Sequence, residues 1–366
     1  MTRTFRADHV GSLLRPPALL QAREAHAAGA LPREELRERE DAAILEALRR
    51  QREVGLEIFT DGELRRGSWI TDMAEAVDGF VAQSRVVDWY GPGGGPEAST
   101  SKVVGARLSP RRRLTGEETA FMRSNAPGPA KMTLPAPSNF YVISWKPGLT
   151  DQAYASRSEM LADVVRIIRG EVEALIADGI TYIQLDAPYY GFFMDERERR
   201  RLQEGGVDPD QALKEVVAAD DACVRGLARE GLTLALHICR GNSRSRWLAE
   251  GTYDPIAEPL LGGLSMDAFL LEYDSPRDGT FEPLRHLPAG KTAVLGLVTT
   301  KEPVLESRDD LARRIDEAAR YAPLEQLALS PQCGFASVAA GNLISEEDQW
   351  RKLELVVGTA RLVWGG

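Results

Sequence analysis

Short apolar runs recur along the chain, and each ends in polar or chemically active residues. We interpret eight of them as β-strands, near residues 4–9, 58–61, 131–134, 182–186, 233–239, 269–273, 293–297 and 327–330. Helical patterns separate most of these runs, most clearly over residues 33–54, 151–178, 208–229, 308–321 and 345–363. Two of these helices have serine N-caps followed by acids in the first turn, at Ser307 and Ser345.

The alternation of strands and helices favours parallel pairing, because parallel neighbours need long crossover connections. The sequence therefore predicts an α/β fold, a closed (β/α)8 TIM barrel, as one domain over residues 1–366. An open doubly wound sheet is the alternative, but the glycine-rich fingerprint expected after its first strand is missing.

One connection is too long for a barrel loop. Between the second and third predicted strands, an insertion over about residues 80–128 indicates an antiparallel excursion around a glycine-rich tip from Gly91 to Gly95.

Composition narrows the class of partner. The net charge of -10 argues against a broad phosphate-binding surface, so we expect a small-molecule partner and no nucleic acid. No apolar run approaches the roughly 20 residues that span a bilayer, and the start of the chain has no apolar signal core. Three cysteines without close spacing make a poor disulfide framework and suit a reducing compartment. We expect a cytoplasmic protein with no membrane association.

Chemically active residues stand at the carboxyl ends of the predicted strands, where TIM barrels build their active sites. They are His9, Asp61, Glu63, Asp186, His237, Cys239, Glu272 and Cys333.

Four of these residues, His237, Cys239, Glu272 and Cys333, together make a ligand set of the kind that binds zinc in proteins. His237 and Cys239 are two positions apart on one strand and point to the same side, and Glu272 ends the next strand. Cys333 follows the last strand in "SPQCGF". The alternative is that the cysteines are small buried hydrophobes, as we expect for Cys223 in its amphipathic helix. A carboxylate after the apolar run "AFLL" favours the metal, because burying an unpaired charge is costly.

Several motifs together carry a resemblance to a known family. In order, they are "RADHVGSLLRP", "TDGELRRGSW", "YIQLDAP", "HIC", "LLEYD" and "PQCGF". The chain resembles the catalytic, C-terminal domain of cobalamin-independent methionine synthase, and more closely the short stand-alone members that lack the N-terminal half. The resemblance covers nearly the whole length.

The resemblance implies a zinc-dependent S-methyltransferase that transfers a methyl group to the thiol of homocysteine and yields methionine. It implies Zn²⁺ bound by His237, Cys239, Glu272 and Cys333. Two cysteinates and a carboxylate would keep the site electron-rich enough for the bound sulfur to attack a methyl carbon.

The resemblance also implies a substrate site. Glu63 and Asp186 match the family's ammonium-binding acids, and Gly11 and Ser12 match the segment that meets the carboxylate. His9 and Asp186 are the candidate catalytic residues. His9, at the barrel mouth, is a candidate proton donor or shuttle, and a structural hydrogen bond is the alternative.

The resemblance implies methyltetrahydrofolate as the methyl donor, but other donors stay open because this chain departs from the family where the donor binds. After the seventh predicted strand, the family has a histidine that is thought to help protonate the departing folate, but this chain reads "GLVTTKEPVLES". After the fourth predicted strand, the family's usual "DEPA" is replaced by "DAPYYGFFMD". Its aromatic residues could line a pocket for a more apolar donor or form an oligomer contact. One alternative is alkyl transfer to another small thiol, or from a corrinoid or methyl ether donor. Another is a metal-free barrel of the uroporphyrinogen decarboxylase type.

Overall fold

The structure is a computed structural model that describes residues 4–365, with residues 71 and 72 described by their backbone only. Its strands are β1 (Val77–Trp89), β2 (Gly95–Pro110), β3 (Lys131–Pro135), β4 (Tyr182–Asp186), β5 (Thr233–Ile238), β6 (Ala268–Glu272), β7 (Thr292–Val298) and β8 (Leu327–Pro331).

Its α-helices are α1 (Pro17–Ala27), α2 (Arg33–Val54), α3 (Thr71–Ala76), α4 (Gly116–Asn125), α5 (Pro137–Ile143), α6 (Arg157–Ala177), α7 (Gly191–Met194), α8 (Glu196–Glu204), α9 (Pro209–Val224), α10 (Asp254–Ala257), α11 (Arg308–Ala318) and α12 (Glu346–Trp364). Four of the five predicted long helices end earlier or begin later than expected by a few residues, and the fifth, α2, has the predicted bounds. The predicted cap is confirmed at α12, where the Ser345 hydroxyl accepts a hydrogen bond from the Asp348 amide at 3.1 Å.

Strands β3 to β8 pair in parallel, in chain order, as one sheet. The first two predicted strands are not regular strands. Each makes a single parallel bridge to an edge of this sheet, Ala7 with Leu329 on β8 and Phe59 with Ala130 before β3. The extended backbone is interrupted soon afterwards, because Gly11 and Gly62 adopt positive φ angles of 137° and 68°.

Side chains from these two segments complete the interior of the barrel. Phe5, Val10 and Ile58 pack in one buried cluster with residues of β4 to β8, namely Tyr182, Ala235, Ala268, Leu270, Val294 and Ala328. The Thr60 hydroxyl also donates a hydrogen bond to the Gly11 carbonyl at 2.8 Å, which joins the two segments to each other. The predicted α/β fold class, a TIM barrel with an insertion between its second and third segments, is confirmed.

The insertion begins with a long antiparallel hairpin made of β1 and β2, followed by α4. The hairpin lies against segments that follow the barrel strands. Near its tip, Tyr90 forms an antiparallel bridge with Trp247, and the Tyr90 hydroxyl donates to Asp195 at 3.1 Å. Arg197 on α8 is paired with Asp88 of β1 at 3.2 Å. These contacts hold the hairpin beside the carboxyl ends of the parallel strands.

Asp220 on α9 is a fully buried carboxyl group between helices and loops outside the barrel interior. The Ser138 amide donates to one of its oxygens at 2.8 Å, and the Tyr190 hydroxyl donates to the other at 2.8 Å. Burial raises the pKa of Asp220 to about 7, although these hydrogen bonds oppose the rise.

Asp220 should make the protein less stable as the pH rises. In the unfolded chain the carboxyl ionises near its ordinary pKa of about 3.9, whereas in the folded chain it keeps its proton until about pH 7. Its contribution to the free energy of unfolding is therefore present at low pH and is lost as the pH rises through the folded pKa. We expect Asp220→Asn to gain stability relative to the unsubstituted protein between about pH 5 and about pH 7, measured by urea unfolding.

The control is Asp210→Asn, at the exposed start of the same helix. Arg199 lowers the pKa of Asp210, so this carboxylate is ionised in both states across that range. An Asp220→Asn curve parallel to that of the unsubstituted protein would contradict the prediction.

None of the helices in the described part of the chain is long and apolar enough to cross a bilayer. The ends of the predicted domain, residues 1–3 and 366, lie outside the described residues, and the extent of the domain stays a prediction.

Candidate functional site

A cavity of about 440 Å³ opens at the carboxyl ends of the parallel strands. This volume lies within the usual range for small-molecule sites. Six of the site residues predicted from the sequence line this cavity, namely Ser12, Glu63, Asp186, His237, Cys239 and Cys333. The inner face of the hairpin forms the outer wall.

Three predicted metal ligands meet in this cavity. The ligand atoms of His237, Cys239 and Cys333 all lie within 4.8 Å of one another, and all three residues are buried. We call these residues the His–Cys–Cys group. The two sulfur atoms are 3.8 Å apart. The register of the sheet explains this convergence, because β5 carries His237 at its end and the turn after β8 carries Cys333 across the barrel mouth.

The His–Cys–Cys group has the chemistry of a zinc site. Neither ring nitrogen of His237 has a partner in hydrogen-bonding geometry among the described residues, although the imidazole is buried. A buried polar group without a partner is costly, and a metal ion would satisfy it. Imidazole nitrogen and cysteine sulfur are the ligands that zinc prefers. The residues present therefore fit this ion.

The two cysteines affect each other's titration. Their close contact raises the pKa of Cys239 well above its ordinary value and, against the effect of burial, holds the pKa of Cys333 well below it. Burial opposes a charged His237, but Cys333, Asp186 and Glu272 together raise its pKa. Cys333 is therefore the first of the two cysteines to lose its proton, and its thiolate lies beside the imidazole of His237.

Glu272, the fourth predicted ligand, ends β6 next to β5 but lies outside the His–Cys–Cys group. Its carboxylate accepts hydrogen bonds from the Arg240 amide at 2.7 Å and from the Arg277 guanidinium at 2.6 Å. Lys301 lies 3.7 Å from the same carboxylate. Burial disfavours the charge of Glu272, but Lys301, Arg277 and Arg240 outweigh it and lower the pKa of this group. Its role as a metal ligand stays a prediction.

Glu63 presents an unused carboxylate oxygen at the cavity. Its Oε1 accepts a hydrogen bond from the Thr133 hydroxyl at 2.9 Å, whereas its buried Oε2 has no hydrogen-bond partner in the described chain. The backbone of Glu63 has a φ of 55°, which is rare for a residue with a side chain. Such strain is typical of functional positions. Asp61 shapes this turn, because its carboxylate accepts a hydrogen bond from the Glu63 amide at 2.8 Å.

Asp186, at the end of β4, is a second acid on the cavity lining. Gln184 donates a hydrogen bond to its Oδ1 at 2.7 Å. Burial raises the pKa of Asp186 to about 7; His237 opposes this rise, and the nearby charge of Glu63 adds to it. The two predicted ammonium-binding acids therefore share one cavity with the His–Cys–Cys group.

Gly11 and Ser12 lie beside these acids. A Cβ atom at Gly11 would stand 4.0 Å from Oε1 of Glu63, so the glycine backbone is close to that carboxylate. Ser12 lines the cavity, and its hydroxyl rests against Gly334, where an added Cβ would overlap it at 1.9 Å. Gly334 thus leaves the space for the Ser12 hydroxyl next to Cys333.

His9 is not among the residues that line the cavity. Its Nε2 lies 3.2 Å from the Ile58 carbonyl, and its own carbonyl accepts a hydrogen bond from Lys131 at 2.7 Å. Burial, reinforced by the charge of Lys131, lowers the pKa of His9 to about 4. The imidazole is therefore neutral at ordinary pH, and its catalytic role stays a prediction.

The outer wall was not predicted as part of the site. The cavity is lined by alternate residues of β1, namely Arg85, Val87 and Trp89, and by the adjacent Tyr189. The Arg85 guanidinium donates a hydrogen bond to the Tyr189 hydroxyl at 3.2 Å. The period of two in this stretch was the available signal, but the sequence does not say which face of a hairpin turns towards the barrel.

The aromatic residues after β4 have divided roles. Tyr189 lines the cavity, and Phe192 packs against it with ring centroids 5.2 Å apart. Tyr190 and Phe193 instead belong to the main hydrophobic core. Of these four aromatic residues, Tyr189 alone lines the cavity.

Comparison with known proteins places the chain in a family. Residues 5–349 match the family model described as the catalytic domain of cobalamin-independent synthase. Two proteins of Bacillus subtilis strain 168, YxjH and YxjG, described as uncharacterized, are 37% and 39% identical to it, each over 98% of this chain and 95% of its own length. The methionine synthase of Pyrococcus abyssi is 24% identical over 97% of this chain and 91% of that protein.

Solved structures agree on the fold. A Listeria monocytogenes protein, named as a candidate vitamin-B12 independent methionine synthase, has a TM-score of 0.75 at 28% identity, with 100% of both chains covered. A B12-independent methionine synthase from Shewanella sp. W3-18-1 has a TM-score of 0.73 at 20% identity, with 98% of both chains covered. The family match over most of the chain and the two relatives above 30% identity together show that this protein belongs to the family of cobalamin-independent methionine synthase catalytic domains, a family of methyltransferases.

Proposed function

We propose that this protein is a zinc-dependent S-methyltransferase whose acceptor is the thiol of homocysteine, with methionine as the product. One observation carries the proposal: the buried His–Cys–Cys group shares a cavity with the carboxylates of Glu63 and Asp186. A thiol-activating ion and a pair of ammonium acceptors are what an amino-acid thiol requires.

His237, Cys239 and Cys333 would hold the zinc ion, with Glu272 as the fourth ligand. When bound, the ion would lower the pKa of a substrate thiol from about 8.5, so that thiolate is available near neutral pH. Glu272 already has the alternative partners Arg277 and Lys301. These partners would keep the Glu272 carboxylate in place at the end of β6.

The protein's own residues would orient the amino-acid part of the acceptor. The unpartnered Oε2 of Glu63 and the Asp186 carboxylate accept hydrogen bonds from the substrate ammonium. The backbone of Gly11 and the Ser12 hydroxyl meet its carboxylate. With its ammonium and carboxylate held, the thiol end of the substrate extends towards the His–Cys–Cys group.

The methyl donor would occupy the outer part of the cavity, where the hairpin and Tyr189 together form the wall. Trp89, Tyr189 and Val87 offer apolar surface to it, and Arg85 offers a cation. In the transfer, a bond forms between the acceptor sulfur and the methyl carbon while the bond from that carbon to the donor breaks. The donor fragment leaves with the electron pair and then takes a proton.

The test is a methionine-formation assay on the purified, zinc-loaded protein. Homocysteine is offered separately with methyltetrahydrofolate, methylcobalamin and a panel of methyl ethers, and methionine is measured. We expect methionine with at least one donor and none when homocysteine is omitted.

Failure with every donor, in protein that holds zinc, would contradict homocysteine methylation. The same donors with other small thiols then test the alternative acceptor. Activity of equal size in fully metal-free protein would contradict the zinc requirement.

A further inference from the structure

Gln184 is a fully buried amide on β4 whose hydrogen bonds reach two parts of the proposed substrate site. Its Nε2 donates to Asp186 Oδ1 at 2.7 Å and to the Val10 carbonyl at 2.8 Å. Asp186 is one ammonium acceptor, and Val10 begins the stretch that contains Gly11 and Ser12. One side-chain nitrogen therefore joins two segments that are distant in sequence.

The orientation of this amide is fixed by its surroundings. The Lys131 ammonium can only donate, and it donates to Gln184 Oε1 at 3.1 Å. The Val10 carbonyl can only accept, so it requires the NH2 end of the amide. Both partners select the same orientation, in which the amide hydrogens point towards Asp186.

Lys131 is held in turn. Its ammonium also donates to Asp8 Oδ1 at 2.6 Å and to the His9 carbonyl at 2.7 Å, so its three protons are all used. The Tyr182 hydroxyl donates to the other oxygen of Asp8 at 2.6 Å. Every group in this chain of contacts is buried. A hydrogen-bond network of this kind is rigid, because no member can move without leaving another unsatisfied.

We propose that Gln184 is a positioning residue for the amino-acid thiol: its amide, oriented by Lys131, holds the Asp186 carboxylate and residues 10–12 in their ammonium- and carboxylate-binding arrangement. Gln184 is absent from the cavity lining, so it acts through these neighbours and does not touch the substrate. The inference rests on the proposed function, because it takes Asp186 as an acceptor for the substrate ammonium.

The network explains why a glutamine is needed at this position. A glutamate would accept from Lys131 but could donate to neither Asp186 nor Val10. A methionine would fill a similar volume without any of the three hydrogen bonds. The amide alone combines one acceptor with two donors on a side chain of this length.

The experiment compares binding of homocysteine with binding of its deaminated analogue, which keeps the thiol and the carboxylate. Zinc-loaded Gln184→Met and the unsubstituted protein are titrated with both ligands by calorimetry, without a methyl donor, and zinc content and Tm are measured. We expect Gln184→Met to bind homocysteine about tenfold more weakly, with unchanged zinc content and little change for the analogue. The preference for the ammonium-bearing ligand is therefore reduced.

Tyr182→Phe is the matched control. It removes one hydrogen bond to Asp8 from the same network and leaves the bonds of Gln184 in place. We expect a lower Tm and an unchanged preference for homocysteine. If Gln184→Met does not fold, Gln184→Asn keeps a polar amide that is too short to reach all three partners, and the same loss of preference is expected.

The outcomes separate the inference from the proposed function. If the unsubstituted protein shows no preference for homocysteine over the analogue, the acceptor assignment fails and the inference fails with it. If the unsubstituted protein shows the preference and a folded Gln184 variant retains it, the role of Gln184 is overturned and the acceptor assignment stands. A preference lost equally in Tyr182→Phe would also overturn the inference, because any weakening of the network would then have the same effect.

Discussion

Replacement of either Cys239 or Cys333 by serine will leave the purified protein almost without zinc, whereas the unsubstituted protein will hold about one ion per chain. The two sulfur atoms are 3.8 Å apart beside the imidazole of His237, so each replacement removes one ligand from a closely spaced set. Loss of a residue that hydrogen-bonds to a metal ligand weakens metal binding about 10- to 100-fold. Loss of the ligand itself should weaken metal binding by a larger factor. Methyl transfer should fall below detection in both variants. Elemental analysis and the methionine assay measure the two effects.

Cys223→Ser is the matched control for these variants. Cys223 is also buried, but it lies on α9, and its sulfur is 3.8 Å from the Val165 carbonyl, outside the cavity. This variant should keep its zinc and its activity, with at most a loss of stability. Stoichiometric zinc in either Cys239→Ser or Cys333→Ser would show that the proposed ligand set is wrong.

Glu63→Gln should raise the KM for homocysteine by about 10- to 100-fold while kcat changes little, because a charge-assisted hydrogen bond contributes about 1.5–3 kcal/mol. The substitution keeps the shape and removes the charge that the substrate ammonium needs. Glu63 Oε1 also lies 3.6 Å from the buried guanidinium of Arg66, so loss of the charge should lower Tm as well. Steady-state kinetics and thermal unfolding on the same samples check both expectations.

Glu40→Gln is the matched control, because it also removes a buried carboxylate that is paired with an arginine. Glu40 is buried on α2 and is paired with Arg23 at 3.1 Å, away from the cavity lining. Its substitution should lower Tm and leave KM unchanged. A Glu63→Gln protein with a normal KM and reduced stability would indicate that Glu63 has a structural role only.

Much of the site could be predicted because strand periodicity is local. The spacing of His237 and Cys239 predicts that both point to one side of a strand, and the apolar runs before Asp186 and Glu272 predict that these acids lie at strand ends. Parallel pairing then brings such ends to one rim, whatever the details of the helices. The family assignment agrees with a methyltransferase, which sets aside the alternative of a metal-free decarboxylase barrel.

The remaining features depend on contacts between distant segments. The partners of Glu272 include Arg277 and Lys301, which lie in two different loops, and nothing in either loop indicates the ion pair. The first two predicted strands form only single bridges, and turns with positive φ angles at Gly11 and Gly62 follow them. The position of His9 below the cavity likewise depends on Lys131, which is far away in sequence.

Under the proposed function, the hairpin has a consequence for how the methyl donor could change among related proteins. Arg85, Val87 and Trp89 belong to a ribbon that forms no part of the parallel sheet, whereas His237, Cys239 and Asp186 are fixed at strand ends. Substitutions on the ribbon's inner face would therefore reshape the donor's surroundings without disturbing thiol activation. Related proteins could accept different methyl sources by varying this one excursion, while the acceptor chemistry stays constant.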